Sequence, residues 1–485
     1  MLIEDFTLVK KVFAFILFSI FVSKPIEASA GDSLYYDIKV TLNGIKTPKA
    51  LLGYYTGDYT YIVDSTQVDT NTGVMRFHPN RPLAEGVYFI ANTEGILFDI
   101  ILAGKTDFTI ATKLSAPYDS ANIENSQENI VFFDYMHTLQ KTQTEVSQIQ
   151  SMTDMLKRAK ADRNTLQEQQ LKIRERYESL EKYTKNLILH NPTLLVSKLL
   201  NMTMTPSVPS DVTPILENKK PNPAYWYYFR QHFFDGIDFT DKRLLRSPYY
   251  TKRLEQFLGY MSTNVDSVKK QLDFILEKTR SSPDFYRFSL QWLTAVFDNN
   301  LDKMYNADAY LVHLVENYHR NLDSGTDKYT LERLEYKVSA FKRVLVGSPA
   351  PVFSLPDTEG RIKSIADVNA DYTVLIFYSS LCAHCRTAMP NIKNALQYVD
   401  SSKIKVFSVC TDGMREPWLA FLDEMKMKDW TNVLDTKHDS EIQKKYVTWN
   451  LPVIYLLDKN KNILANRVKP DNLPDLLRGL FDNNK

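Results

Sequence analysis

Cysteine is nearly absent: there are three in 485 residues, with Cys382 and Cys385 three apart and Cys410 alone. That excludes a disulfide framework and leaves cysteine for chemistry or for nothing. No sign of charge dominates, since 59 Lys and Arg face 58 Asp and Glu for a net charge of +1. The basic excess that a phosphate backbone demands is missing, so nucleic acid is excluded as the expected partner. An apolar run of membrane-spanning length is also missing. The longest leader-like run, Val12 to Val22, would rise only about 16 Å as a helix, against roughly 30 Å of hydrocarbon. Glycine is sparse, at 15 against 28 Tyr and 26 Phe, so aromatic rings must line cores or grooves. What remains is a globular chain, 44% hydrophobic and 24% charged, long enough for about three domains.

The N-terminus carries an address. Lys10 and Lys11 precede Val12 to Val22, and Ala28-Ser29-Ala30 supplies the small residues a signal peptidase reads. Residues 1–30 are therefore expected to be a secretory signal peptide cleaved after Ala30. The product is expected to be periplasmic, with no stable membrane span after cleavage. A lipoprotein would need a cysteine at the cleavage site, and the first cysteine is Cys382.

Over 31–116 the chain reads as a small antiparallel β domain. Leu34 to Leu42, Ala50 to Tyr55, Tyr59 to Val63, Val87 to Ala91, Gly95 to Leu102 and Phe108 to Ala111 are strand-like, with Asn43-Gly44 and Thr72-Gly73 as turns. From about Glu128 the period becomes helical through Phe132, Tyr135, Met136, Leu139, Val146, Ile149 and Met152. That pattern predicts a long helical hairpin stopped by Asn191-Pro192. Five prolines between 206 and 223 mark a linker that no helix crosses. After it come the aromatic cluster Tyr225 to Phe234 and further helical patterns to about Val344, making 117–344 an expected all-α domain.

The chemistry begins after Gly347. Tyr372 to Tyr378 is an apolar run of buried-strand length. Ser379-Ser380-Leu381 then leads into Cys382-Ala383-His384-Cys385, and a helical pattern continues to Val399. This places Cys382 at a helix N-terminus, where unpaired amides and the dipole favour an anionic sulfur, with a charged His384 adding to the effect. In a helical C-x-x-C the first sulfur protrudes and the second is shielded one turn on, so Cys382 is expected to attack and Cys385 to resolve. A zinc site would need a second C-x-x-C or an H-x-x-x-H, and neither occurs. No metal or other cofactor is expected. Cys410 closes the apolar run Ile404 to Val409 and is expected to be an inert core thiol.

Residues 346–485 resemble the thioredoxin-like domain of bacterial TlpA/ResA-type thiol–disulfide oxidoreductases. The resemblance rests on Gly347-x-Pro349-x-Pro351-x-Phe353-x-Leu355, the strand before C-x-x-C, Pro390, and Leu451-Pro452 ahead of Val453 to Leu457. It implies an α/β thioredoxin-like fold over 345–485. It also implies a cis-proline at Pro452 facing the cysteines, substrate pairing along the Leu451 backbone, and a helix kink at Pro390. Two carboxylates usual in such proteins are replaced, by Ile376 six before Cys382 and by Ala388 three after Cys385. Leu381 stands where the family usually has Trp, which alters the substrate-contacting edge. The segment Gly347 to Gly360, with Ser379 three before Cys382, also resembles the start of peroxiredoxins, although Leu375 replaces their proline. The β and helical modules upstream resemble uncharacterised ones that precede such domains in exported bacterial proteins.

The expected protein is multidomain: β, then all-α, then thioredoxin-like. The implied activity is disulfide exchange at Cys382/Cys385 with disulfide- or thiol-containing exported proteins, served by a redox partner of unknown identity. A charge that stabilises the thiolate stabilises the reduced form and lifts the potential from thioredoxin's ~−270 mV towards ~−180 to −120 mV. Two alternatives stay open: a peroxidase, or a docking protein whose thioredoxin-like domain has lost its redox role.

Overall fold

The computed structural model describes residues 33–482, apart from 210, 216–219, 261–263, 302, 398, 401 and 436–440. The expected signal peptide over 1–30 lies outside the described residues. The chain divides into two compact units. One ends at Met261 and takes in Lys278–Phe285, and the other comprises Ser262–Glu277 and Tyr286–Lys485. The helices expected as one domain over 117–344 are thus shared between the two units.

In the first unit, strands β1 (Ser33–Leu34), β2 (Asp37–Asn43), β3 (Lys49–Thr56), β4 (Tyr59–Gln67), β5 (Val74–Phe77) and β6 (Leu83–Ala84) are followed by β7 (Gly86–Ala91), β8 (Ile96–Leu102), β9 (Asp107–Lys113) and β10 (Asn122–Glu124). One sheet, β4-β3-β7-β8, is antiparallel throughout. Strands β1 and β6 pair separately, and a further sheet, β10-β9-β2-β5, departs from the antiparallel expectation because β2 and β9 run parallel. Parallel neighbours need a crossover, and here the intervening chain supplies it by building the other sheet. Strand β2 alternates as its sequence dictates, with Ile38, Val40 and Leu42 buried. Gly73, at φ +74°, turns the chain between β4 and β5. A Cβ there would sit 2.4 Å from the Leu42 carbonyl oxygen, so the position demands glycine.

The helical hairpin forms as expected from Gln127–Arg158 and Arg163–His190, with Ser126 and Asp162 as N-caps and Asn191 as the C-cap. Arg176 pairs with Glu145 at 2.7 Å, and Tyr183 donates to Asp134, which fixes the two helices antiparallel. Buried Glu128 accepts the Leu195 and Val196 amides at 2.7 and 2.8 Å. It caps the helix Leu195–Thr203, whose own N-cap residue Leu194 offers no side-chain acceptor. After the proline-rich stretch, Tyr225 and Phe229 stack on the helix Pro223–Gln231, with Phe229 and Phe233 buried. Phe229, Phe233 and Phe234 are core, while Tyr227 is exposed, so the cluster is core only in part. Arg243 bridges Glu85 and Asp241, and Arg246 lies over the Tyr54 ring at 4.4 Å from its centroid.

The C-terminal part of the second unit opens with a hairpin, β11 (Ser354–Pro356) and β12 (Ile362–Ser364). Strands β13 (Tyr372–Tyr378), β14 (Ile404–Cys410), β15 (Thr431–Leu434), β16 (Val453–Asp458) and β17 (Ile463–Val468) then form a five-stranded sheet in the order β15-β14-β13-β16-β17. The β13–β14 and β14–β15 pairs are parallel, and the β13–β16 and β16–β17 pairs antiparallel. Central β13 is buried on both faces beyond Tyr372, which is why its sequence is continuously apolar rather than alternating. Val374, Ile376 and Tyr378 share a core cluster with Cys385, Met389 and Ile392 of the helix Ala383–Gln397. On the other face Phe377 packs against Phe353, Tyr446 and Tyr455.

Candidate functional site

The chain leaves β13 at Tyr378, turns through Ser379–Leu381 and enters the helix at Ala383. Cys382 is therefore the N-cap residue. Its carbonyl accepts the first intrahelical bond, from the Arg386 amide at 3.1 Å. Its sulfur accepts the otherwise orphaned Cys385 amide at 3.4 Å, and faces the Leu451 carbonyl oxygen at 3.9 Å. Cys382 is half-buried and Cys385 fully buried, and both are free thiols. Burial pushes the Cys385 thiol well up, against a lowering contribution from the Ser379 amide. Leu451–Pro452 is a cis peptide. His384 on the first turn is exposed. Leu381 is 62% exposed on one side of the sulfur. Two residues before Leu451, Trp449 is partly exposed, stacks on Tyr336 and packs at a tilt against Phe341, both on the helix Lys328–Phe341.

No carboxylate enters the core behind the cysteines from the two positions already noted. Ile376 is fully buried in the cluster that holds Cys385, and Ala388 packs against that cluster. An acid does approach from another direction. Asp412, two residues past the end of β14 and 8% exposed, accepts from the Ser380 amide and the Ser380 hydroxyl, both at 2.6 Å, and from the Ser379 hydroxyl at 3.1 Å. Its other oxygen accepts from the Cys410 thiol at 3.2 Å and the Met414 amide at 3.4 Å. Burial would raise the Asp412 carboxyl, but bonds from Ser380 and Cys410 hold it below its ordinary value. Cys410 is fully buried, and burial together with the Asp412 charge pushes its thiol up to about 12. From the opposite side Arg386 Nη2 donates to the Ser380 carbonyl at 3.1 Å.

Sequence reasoning passed over Asp412. Its only signal is an acid just beyond an apolar strand, and it becomes meaningful once β14 is known to lie parallel to β13 with Cys410 opposite Tyr378. The ends of adjacent parallel strands then meet.

Residues 346–466 match the AhpC/TSA family. Over 140 residues the chain is 24% identical to the thiol-disulfide oxidoreductase ResA of Geobacillus thermodenitrificans, covering 28% of this chain and 79% of that protein. The C-terminal domain is thioredoxin-like, of the TlpA/ResA type. Among solved structures, a domain of a possible thiol-disulfide isomerase from Cytophaga hutchinsonii is 34% identical, with 29% of this chain and 95% of that one covered and a TM-score of 0.27. A thioredoxin-like protein from Bacteroides caccae is 18% identical, with 56% and 97% covered and a TM-score of 0.48.

The burial pattern of this thioredoxin-like domain sets the order in which its thiols react. Under native conditions iodoacetamide is expected to label Cys382, while Cys385 and Cys410 react only after denaturation, because a buried neutral thiol neither ionises nor admits the reagent. Peptide mass spectrometry reads this directly. Native labelling of Cys385 or Cys410 at the Cys382 rate would contradict it.

Proposed function

We propose that the chain is an exported, periplasmic thiol–disulfide oxidoreductase that exchanges disulfides with protein substrates through Cys382 and Cys385. The observation that carries this reading is the Cys382 sulfur at a helix N-cap, bonded by the Cys385 amide and facing the Leu451 carbonyl. A thiolate there is stabilised where the helix lacks internal partners. The exposed Leu381 and the Leu451 backbone in the loop before β16 would border an extended substrate segment.

In the reducing direction the Cys382 thiolate attacks one substrate sulfur, the substrate S–S bond breaks, and the other substrate sulfur leaves as a thiolate. Cys385 then loses its proton to water and attacks the Cys382 sulfur. The Cys382–Cys385 bond forms, the second substrate sulfur departs, and two electrons have passed to the substrate. Run backwards, the same steps oxidise a dithiol. His384, on the first turn, favours the thiolate when charged. Pro452 and Leu451 border the sulfur on the side where substrate pairs. In this reading residues 1–30 are the removed signal, 31–344 are accessory, and 345–485 carry the chemistry. Among the described residues no helix is long and apolar enough to cross a membrane.

The test is equilibration of the purified protein in glutathione buffers of graded poise, followed by acid quench and mass analysis of Cys382 and Cys385. A reversible two-electron transition between dithiol and intramolecular disulfide is expected, lying above thioredoxin's ~−270 mV. A pair that stays reduced at every poise would instead support a docking protein with an inactive domain. Oxidation of Cys382 by hydrogen peroxide that outpaces exchange with protein disulfides would make it a peroxidase. Exported protein beginning at Gly31 is the expected mass-spectrometric result for the leader, and an intact Met1 would remove the periplasmic assignment.

A further inference from the structure

We infer that Trp449 and Tyr336 form a subsite for a neutral aromatic side chain of an extended protein substrate whose sulfur is engaged at Cys382. The inference rests on the oxidoreductase reading above and adds a substrate preference to it.

The loop that carries Leu451 is fixed before any substrate arrives. The Tyr446 hydroxyl donates to the Pro351 carbonyl at 2.7 Å, the Tyr455 hydroxyl donates to the Val447 carbonyl at 3.2 Å, and Arg343 donates to the Lys444 carbonyl. Trp449 is held in turn by the helix Lys328–Phe341. Its ring lies nearly parallel to that of Tyr336, with 6.5 Å between centroids and 10° between planes, and it meets Phe341 at a tilt with 5.5 Å between centroids. Phe341 is buried, but the other two rings are not core, since Trp449 keeps 43% of its surface exposed and Tyr336 71%. A single exposed ring needs no explanation. Two in contact, next to a reactive sulfur, mark a surface that another molecule covers.

Their place along the loop identifies the occupant. The Leu451 carbonyl oxygen lies 3.9 Å from the Cys382 sulfur, and Trp449 stands two residues earlier, no more than about 7 Å along the backbone. A substrate segment extended beside Leu451 advances ~3.3 Å per residue, so it comes level with Trp449 about two residues from its pairing position and reaches Tyr336 about two further on. Leu381, 62% exposed and adjacent to Cys382 in the chain, adds apolar surface at the sulfur itself. Cations already back the loop, with Arg467 over the Phe341 ring at 5.4 Å and Arg343 on the Lys444 carbonyl. Charge therefore favours a neutral ring over an arginine or a lysine. Because both platform rings are held in place, a substrate ring that stacks on them orders little besides itself.

The test uses the full-length reduced protein and three otherwise identical peptides, each with one cysteine blocked as a mixed disulfide with thionitrobenzoate and with Phe, Gly or Arg placed two residues before and two after it. Cys382 attacks the peptide sulfur, the bond to thionitrobenzoate breaks, and the coloured thiolate leaves with the electron pair. Rates are normalised to the reaction of each peptide with free cysteine. Wild type is expected to prefer Phe to Gly by ~10-fold. Trp449→Ala is expected to bring that ratio to within about twofold of one, and Tyr336→Ala to lower it by less, whereas Trp449→Phe and Tyr336→Phe keep a ring and most of the preference. A variant that merely disturbs the loop slows all three peptides alike and leaves the ratio at its wild-type value, and that result in both alanine variants would overturn the inference. Should Trp449→Ala fail to fold by circular dichroism, Tyr336→Ala, at an exposed position, decides alone. Equal rates for Phe and Gly in wild type, or an Arg peptide that outpaces Phe, would also overturn it, as would a dimer in wild type that Trp449→Ala dissociates, since the rings would then belong to a contact between copies. If no peptide releases thionitrobenzoate from wild type whose Cys382 still alkylates, the oxidoreductase reading itself falls, and the subsite with it.

Discussion

Cys385→Ser is expected to arrest the protein as a stable mixed disulfide with its substrate, and Cys382→Ser to abolish exchange, a loss on the order of 10³-fold or more. The asymmetry follows from the two environments. Cys385 has no exposed surface and its thiol is pushed well up by burial, so it meets no substrate and stays protonated until a neighbouring disulfide forms within reach. Cys382 is accessible and capped by the amide of residue 385, and serine at 385 keeps that amide. First attack therefore survives in Cys385→Ser while its resolution does not. Mass spectrometry without reductant, after mixing with an oxidised model protein, distinguishes the two variants. Turnover of Cys385→Ser at the wild-type rate would mean another thiol resolves. Cys410 is the remaining cysteine, and the double variant Cys385→Ser/Cys410→Ser would identify it.

Trp418→Ala is expected to cost the thioredoxin-like domain about 3–5 kcal/mol, a large share of the roughly 5–15 kcal/mol that domains possess. Trp418 lies on the helix Arg415–Glu424 with no exposed surface, and its indole nitrogen donates to the Tyr378 hydroxyl at 3.0 Å. Tyr378 in turn stacks on Phe421, with ring centroids 5.2 Å apart. Truncation removes the ring, leaves a cavity beside the end of β13 and takes away the donor to a buried phenol. Trp418→Phe loses little volume but strands that bond, for an expected cost of about 1–3 kcal/mol. Denaturant unfolding followed by far-ultraviolet circular dichroism checks both. A cost under ~1 kcal/mol for Trp418→Ala would show that the helix repacks without its anchor.

Much of the site was legible because its signals are local. The apolar run Tyr372 to Tyr378 names a buried central strand, the cysteine spacing names a helix entrance, and burial of Cys385 one turn along follows from helical geometry. The long hairpin was equally plain from its period and caps. Signals that depend on a partner far along the chain were not legible. Glu128 caps a helix that starts at Leu195, an acceptor 67 residues away from its donor. Tyr336 reaches Trp449 beside the candidate substrate edge from a helix that precedes the thioredoxin-like domain.

By itself the sequence indicated the class of most segments, the place of Cys382 at a helix entrance and the burial of Cys385 behind it, since propensity, periodicity and helix geometry act over a few residues. Only the tertiary structure decided that β2 pairs in parallel with β9, and that Asp412 rather than an acid at 376 or 388 meets the turn before Cys382. Strand pairing and the convergence of strand ends bring together residues whose separation along the chain carries no periodic mark. Their contacts are selected by the burial and hydrogen bonding of the whole domain.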